Sequence, residues 1–150
     1  MKCVVLGVTG GIAAYKACDI ANRLKKNGLS VVVVMTKNAR EFVSGVTFET
    51  LTGNRAYTDQ FDRAFEIGHI SLAKRADLML VAPATANIIG KMDAGIADDL
   101  LSTTLMAMAV PVIMAPAMNC NMWKSPANQA NIATLKSRGV EFIGPEKGHL

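Results

Sequence analysis

The sequence is poor in the features that would sort it quickly. It has three cysteines in 150 residues, Cys3, Cys18 and Cys120, and no C-x-x-C pair among them. An odd count without metal-ligand spacing points to free thiols, and no zinc pattern can be built from them with His69 and His149. Aromatic residues make up 5% of the chain, and the scattered Lys and Arg residues leave a net charge of +4. With no basic block and few rings to stack bases, a nucleic-acid role is not expected. The longest apolar run, Ala107 to Met118, is broken by Pro111 and Pro116 and is too short to span a bilayer. The first residues, "MKCVVLGVTGG", enter a strand-like run at once and offer no signal-peptide cleavage site. A cytoplasmic chain is expected, with no membrane partner.

What is present is a core. Hydrophobic residues make up 51% of the chain and charged ones 19%, a balance that excludes disorder and suits one domain over residues 1–150.

Lys2–Gly7 reads as a buried strand ending in glycine, followed by a helix from about Gly11 to Asn27. Ala13, Ala17, Ile20, Ala21 and Leu24 share one face of that helix, and Gly28 stands where a C-terminal glycine belongs. "SVVVVMT" shows no alternation and reads as a strand buried on both faces, with "NAREFVSG" a short helix after it. Residues 46–68 predict loop with some helix around Phe48–Leu51. "ISLAKRA" predicts a helical turn before a strand over Asp77–Ala82. "ANIIGKM" and "ADDLLSTTLMAMA" predict helices, the second with Asp98 near its positive end. Pro111–Ala115 reads as a strand, 127–137 as a helix and Val140–Ile143 as a last strand. Strands separated by helical crossovers predict an α/β fold: a three-layer αβα sandwich around a doubly wound parallel sheet of about five strands, flavodoxin-like or Rossmann-like.

Ligands of such sheets bind beyond the carboxyl ends of the strands. Those ends read "GVTGGIAAYK", "MTKNA", "APATAN" and "APAMNCNMW", all rich in small, hydroxyl or amide residues. The first is not G-x-G-x-x-G, since Thr9 takes the place of the second glycine; on its own it reads equally well as a tight turn before a packed helix. The end of strand two offers Thr36-Lys37-Asn38 where a dinucleotide site wants Asp or Glu for the ribose, which counts against NAD. No G-x-x-x-x-G-K-[ST] occurs, which disfavours ATP hydrolysis. Glycines that let backbone approach (Gly10, Gly11) and neutral hydrogen-bonding groups (Thr36, Asn38, Thr85, Asn87) fit a mononucleotide such as FMN better.

Two further positions have two readings each. His69 is either a loop histidine capping a turn or a proton donor and acceptor at the ligand end of the sheet. In "PAMNCNMW", Met118, Met122 and Trp123 are either plain core or part of a site, and Asn119 and Asn121 either turn formers or holders of a carboxylate.

Taken together, "GVTGGIAAYKA", "GHISLA", "APATANIIGKMDAGIADDLLST" and "PAMNCNMW" resemble the His-containing, flavin-linked cysteine decarboxylases, and most of all the phosphopantothenoylcysteine decarboxylase branch that serves coenzyme A synthesis. The resemblance runs from residue 2 to the end of the chain. It implies FMN held by Gly10, Gly11 and Ile12, by Thr36 and Asn38, and by Thr85 and Asn87, with Ala117 close by. It implies His69 as the catalytic histidine and Asn119, with Met122, as the substrate-binding residues. It also implies a homotrimer, or a dodecamer of trimers, with the flavin at a subunit interface, no metal, and a fused phosphopantothenate–cysteine ligase domain in the full-length protein.

The implied reaction converts 4′-phosphopantothenoylcysteine to 4′-phosphopantetheine. Loss of CO2 leaves a carbanion, and oxidation of the substrate's CH2–SH to a thioaldehyde supplies the electron sink, FMN taking the hydride and later returning the electrons. Relatives continue beyond the position of Leu150 into an Ala-Cys-Gly motif whose cysteine donates a proton in that return. On this resemblance the 150 residues are expected to be a decarboxylase domain shortened at its C-terminus, able to bind FMN but not to finish turnover. A peptide C-terminal cysteine decarboxylase and a non-catalytic flavin-binding regulatory protein are the alternatives.

Overall fold

The computed structural model describes residues 1–58 and 68–145, apart from the side chain of His69. Five strands form one parallel sheet in the order β2-β1-β3-β4-β5: β1 (Cys3–Val8), β2 (Ser30–Met35), β3 (Leu78–Ala84), β4 (Val112–Pro116) and β5 (Glu141–Phe142). The helices between them are α1 (Lys16–Lys26), α2 (Gly45–Thr52), α3 (Gly68–Arg75), α4 (Ala86–Ala94), α5 (Leu100–Ala107), α6 (Cys120–Lys124) and α7 (Pro126–Ser137). This is the expected αβα sandwich.

The uninterrupted valines of β2 have a direct physical reason. Val31, Val33 and Met35 face a core built with Ala14 of the turn before α1, Ala17 and Ala21 of α1 and Phe48 of α2. Val32 and Val34 face the opposite core, with Leu72 of α3, Ile88 and Ile89 of α4, Leu100, Leu101 and Leu105 of α5, and Ile132 and Leu135 of α7. Both faces are dry, so a strand here needs an apolar residue at every position. Each such side chain contributes about 1.5–3 kcal/mol over its exposed state.

Several boundaries move. The first helix opens as a 3-10 turn, Ile12–Tyr15, before α1, because Ala14 N–H bonds to Gly11 O at 3.0 Å across three residues instead of four. Only a 3-10 turn, Ala39–Glu41, forms in "NAREFVSG", while the helix expected around Phe48–Leu51 widens to α2 over Gly45–Thr52, capped by Ser44. Strand β3 runs two residues past Ala82, because Ala84 still pairs with Pro116 across an irregularity in the ladder. α5 begins at Leu100, since Asp99 and Ser102 form a capping box that takes up the orphan donors. Asp98 lies just outside it. α6 is a five-residue helix that begins inside "PAMNCNMW" and ends one residue past it, where none was expected.

All three cysteines are free thiols. Among the described residues no helix is long and apolar enough to cross a membrane.

Candidate functional site

The order β2-β1-β3 puts the switch point of the sheet between β1 and β3, where crossovers leave for opposite faces and a crevice opens at the carboxyl ends. That crevice is held together by one buried hydroxyl. Thr9, 2% exposed at the end of β1, donates its Oγ1–H to the carbonyl of Pro83 at 2.6 Å and accepts the N–H of Thr85 at 3.2 Å. The end of β1 is therefore tied to the turn after β3.

Gly10 follows, packed against the turn after β2. A Cβ there would sit 2.4 Å from Asn38 Cβ and 2.8 Å from the Asn38 carbonyl carbon, closer than any side chain tolerates. Gly11 differs: a Cβ would meet nothing within 4 Å. Its backbone borders open space at the head of the 3-10 turn, where the first N–H groups have no partner within the turn. Thr36 accepts the N–H of Ala39 at 3.1 Å, shaping the second turn. Thr85 caps α4 by accepting the N–H of Ile88 at 3.3 Å.

These turns enclose a cavity of about 720 Å³. It is lined by Thr9 and Gly10 after β1, Thr36, Lys37, Asn38 and Arg40 after β2, Thr85, Asn87, Ile88 and Lys91 at and beyond the cap of α4, and by Thr58, Asp98, Asp99, Leu100 and Met122. Six of the residues singled out from the sequence (Gly10, Thr36, Asn38, Thr85, Asn87 and Met122) are thus brought together. Ala117 instead lines a smaller apolar cavity of about 170 Å³ between Ala13, Ala17 and Ile20 of the first helical segment and Pro83 and Ala115 of the sheet. Gly11, Ile12 and Asn119 line neither cavity. Ile12 is 71% exposed. His69 lies in the first turn of α3, and its side chain lies outside the described residues, as do residues 146–150 with His149.

Asn119 turns out to be the N-cap of α6, accepting the N–H of Met122 at 2.9 Å through Oδ1. The turn-forming reading therefore holds for its oxygen. Its NH2 group has no partner among the described residues and the residue is exposed, so it remains available to a ligand. Trp123 is half-buried against the core, and Met122 is 46% exposed at the cavity wall.

Charges in the cavity are unevenly distributed. Lys91 Nζ lies 2.9 Å from Asp98 Oδ1 and 4.0 Å from Asp99 Oδ2, with the lysine side chain only 20% exposed. The hydrogen bond from Lys91, with its charge and a bond from Ser102, holds the Asp98 carboxyl below its ordinary range. Sequence reasoning missed Thr9, Thr58 and Lys91 as cavity residues. Only Thr9 had a visible signal, its place inside "GVTGG" at the end of a strand.

The donor set is neutral hydroxyls, amides and backbone N–H groups, with Gly10 where no side chain fits and Gly11 beside open space. The turn after β2 carries no acid for a ribose, the two acids of the cavity, Asp98 and Asp99, are paired with Lys91, and no loop of Walker type occurs. The set fits a mononucleotide such as a flavin phosphate, which such groups bind without a metal.

Comparison with known proteins extends this. Residues 1–150 match the family model described as Flavoprotein. The coenzyme A biosynthesis bifunctional protein CoaBC of Bacillus subtilis (strain 168) is 50% identical over 149 residues, covering 98% of this chain and 37% of that protein. The protein of the same name from Vibrio vulnificus (strain YJ016) is 49% identical with the same coverage. The chain thus spans about 37% of the length of these curated relatives. Among solved structures, the FMN-dependent cysteine decarboxylase SpaF superposes with a TM-score of 0.93 at 32% identity, covering 99% of this chain and 86% of that one. A PPC decarboxylase mutant complexed with pantothenoylaminoethenethiol gives a TM-score of 0.87 at 27% identity, covering 99% and 85%. With the family model reaching every residue and these likenesses running through the whole sheet and its turns, the chain belongs to the Flavoprotein family.

Proposed function

We propose that the chain binds FMN in the crevice beyond β1, β2 and β3 and carries out the decarboxylation of 4′-phosphopantothenoylcysteine toward 4′-phosphopantetheine in coenzyme A biosynthesis. The observation that carries this reading is the convergence of Gly10, Thr36, Asn38, Thr85 and Asn87 on one cavity, with Met122 on its wall, in a chain about half identical to CoaBC proteins. Bound FMN supplies hydride acceptance from the substrate's CH2–SH, which makes the carboxylate labile beside a C=S group.

The chain's own residues hold and orient. Thr36, Asn38, Thr85 and Asn87 donate and accept hydrogen bonds to the cofactor, and Gly10, Gly11 and Ile12 meet it through the backbone; Ala117, which lines the other cavity, is left out of this set. The NH2 group of Asn119 orients the substrate carboxylate, with Met122 packing beside it, so that the breaking bond aligns with the developing π system. His69 takes the thiol proton. Lys91 is occupied by Asp98 and Asp99, so Lys37 and Arg40, which also line the cavity, supply the positive charge for an anionic ligand. A fused ligase domain, a trimeric or larger assembly and a cytoplasmic location belong to the same proposal. The name "bifunctional" carried by relatives of which this chain covers 37% supports the first of these.

A second reading, decarboxylation of a peptide's C-terminal cysteine, is favoured by the likeness to the peptidyl-cysteine decarboxylase EpiD, which superposes with a TM-score of 0.86 at 25% identity. The experiment that separates them offers the flavin-loaded protein 4′-phosphopantothenoylcysteine and, separately, a peptide ending in cysteine, and follows loss of 44 mass units, about one CO2, by mass spectrometry. Consumption of the first alone supports the proposal; consumption of the peptide alone replaces it.

A further inference from the structure

Asn128 is a buried amide that neither the fold nor the reaction has yet used. It is 5% exposed on α7, and its Oδ1 has no hydrogen-bond partner among the described residues. An apolar residue of the same shape would avoid that desolvated oxygen, so the amide needs a reason to be there. Its NH2 group supplies one. Nδ2 donates to the Sδ of Met118 at 3.2 Å and to the carbonyl of Trp123 at 3.3 Å. Met118 immediately precedes Asn119, the N-cap of α6, and Trp123 lies in its last turn. One buried amide therefore holds both flanks of a five-residue helix that is too short to be stable alone. Gln129 adds a second, exposed hold, donating Nε2–H to the same Trp123 carbonyl at 2.6 Å.

We propose that Asn128 is the positioning residue of the α6 clamp. By gripping Met118 and Trp123 it fixes where Asn119 and Met122 are presented to the substrate carboxylate. This rests on the substrate-binding role given above to Asn119 and Met122. The geometry of the grip itself does not. Selection for a fixed α6 explains why a donor is kept at the expense of a stranded acceptor. A purely packing role would favour leucine.

The test compares the flavin-loaded parent with Asn128→Leu, which removes donor and orphan acceptor together, and Asn128→Gln, which keeps an amide donor. Trp123 is the only tryptophan of the chain, so its fluorescence reports α6 without substrate. Asn128→Leu is expected to keep flavin content and melting temperature, to raise acrylamide quenching of Trp123 about threefold, and to raise KM for CO2 release from the cysteine substrate about tenfold with the limiting rate of release changed less. Asn128→Gln is expected to recover most of both. Unchanged quenching and KM in Asn128→Leu would overturn the proposal. So would parallel loss of flavin, stability and activity, which marks a merely structural residue. Looser Trp123 with a parent that releases CO2 from no cysteine-ended substrate would leave the grip standing and overturn the functional reading and the substrate role together.

Discussion

Thr9 and Pro83 are 74 residues apart in sequence, yet the threonine hydroxyl donates to the proline carbonyl at 2.6 Å from a site 2% exposed. The same oxygen accepts from Thr85, the cap of α4, so one side chain ties the ends of the two strands that flank the switch point.

Thr9→Val keeps the shape and removes both bonds, leaving a buried carbonyl and an N–H unpaired. The expected cost is about 2 kcal/mol, or a fall of about 5 °C in melting temperature, together with loss of flavin at equal FMN concentration. Calorimetry with and without FMN measures both. A variant as stable and as yellow as the parent would show that the tie is dispensable.

Gly10 and Gly11 are adjacent but predict opposite effects. Gly10→Ala forces a methyl group into Asn38 and parts the turns after β1 and β2, costing about 1–3 kcal/mol. Gly11 has extended backbone, φ 178°, that any residue adopts, and a methyl group there meets no protein atom. Gly11→Ala is therefore expected to melt as the parent does, within about 0.5 kcal/mol, while binding FMN about fivefold more weakly. Equal FMN affinity in Gly11→Ala and parent would move the cofactor away from this turn.

The ion pair between Lys91 and Asp98 predicts a pH effect of definite sign. The Asp98 carboxyl titrates below its ordinary value of 3.8, chiefly through the hydrogen bond from Lys91. A depressed folded value means that the pair's contribution is in place above the ordinary carboxylate range and is lost as pH falls from there through the folded value. In Lys91→Met the Asp98 midpoint should rise toward 3.8, and acid lability from this site should disappear. Carbon NMR titration of the Asp98 carboxylate reads it directly. An unchanged midpoint would contradict the pairing.

Asn119 carries two jobs that substitution can separate. Asn119→Asp keeps an oxygen to cap α6 but replaces the NH2 donor with a charge that repels a carboxylate. Folding and flavin binding should persist while reaction with substrate falls about a hundredfold or more. Asn119→Ala should also lose about 1 kcal/mol from the lost cap. Activity retained in Asn119→Asp would assign the residue to capping alone.

Much of this fold was legible because its signals are local. The valine run of β2 has no polar position, and only burial on both faces produces that. The glycine and threonine turns stood at strand ends, where any doubly wound sheet puts its ligand. Other features depended on long-range pairing. Pro83 looks like a strand terminator, yet β3 runs through it because Ala84 finds a partner in Pro116. α6 is too short to show a helical period, so the sequence offered turn former and carboxylate holder for Asn119 but not a helix cap. Lys91 and Asp98 lie on a helix and on the loop beyond it, and no periodicity joins them. Ala117 faces the smaller cavity because its side of the sheet is the α1 side, which the residue order of "APAMN" does not reveal.

The central claim is that the crevice beyond β1, β2 and β3 holds FMN and presents it to a cysteine-ended carboxylate. An anaerobic visible spectrum of the purified protein with FMN, before and after addition of 4′-phosphopantothenoylcysteine, tests it most directly. The account predicts a bound yellow flavin that bleaches on addition, more weakly in Asn119→Asp than in the parent. A protein that takes up no flavin even with FMN in excess would contradict it.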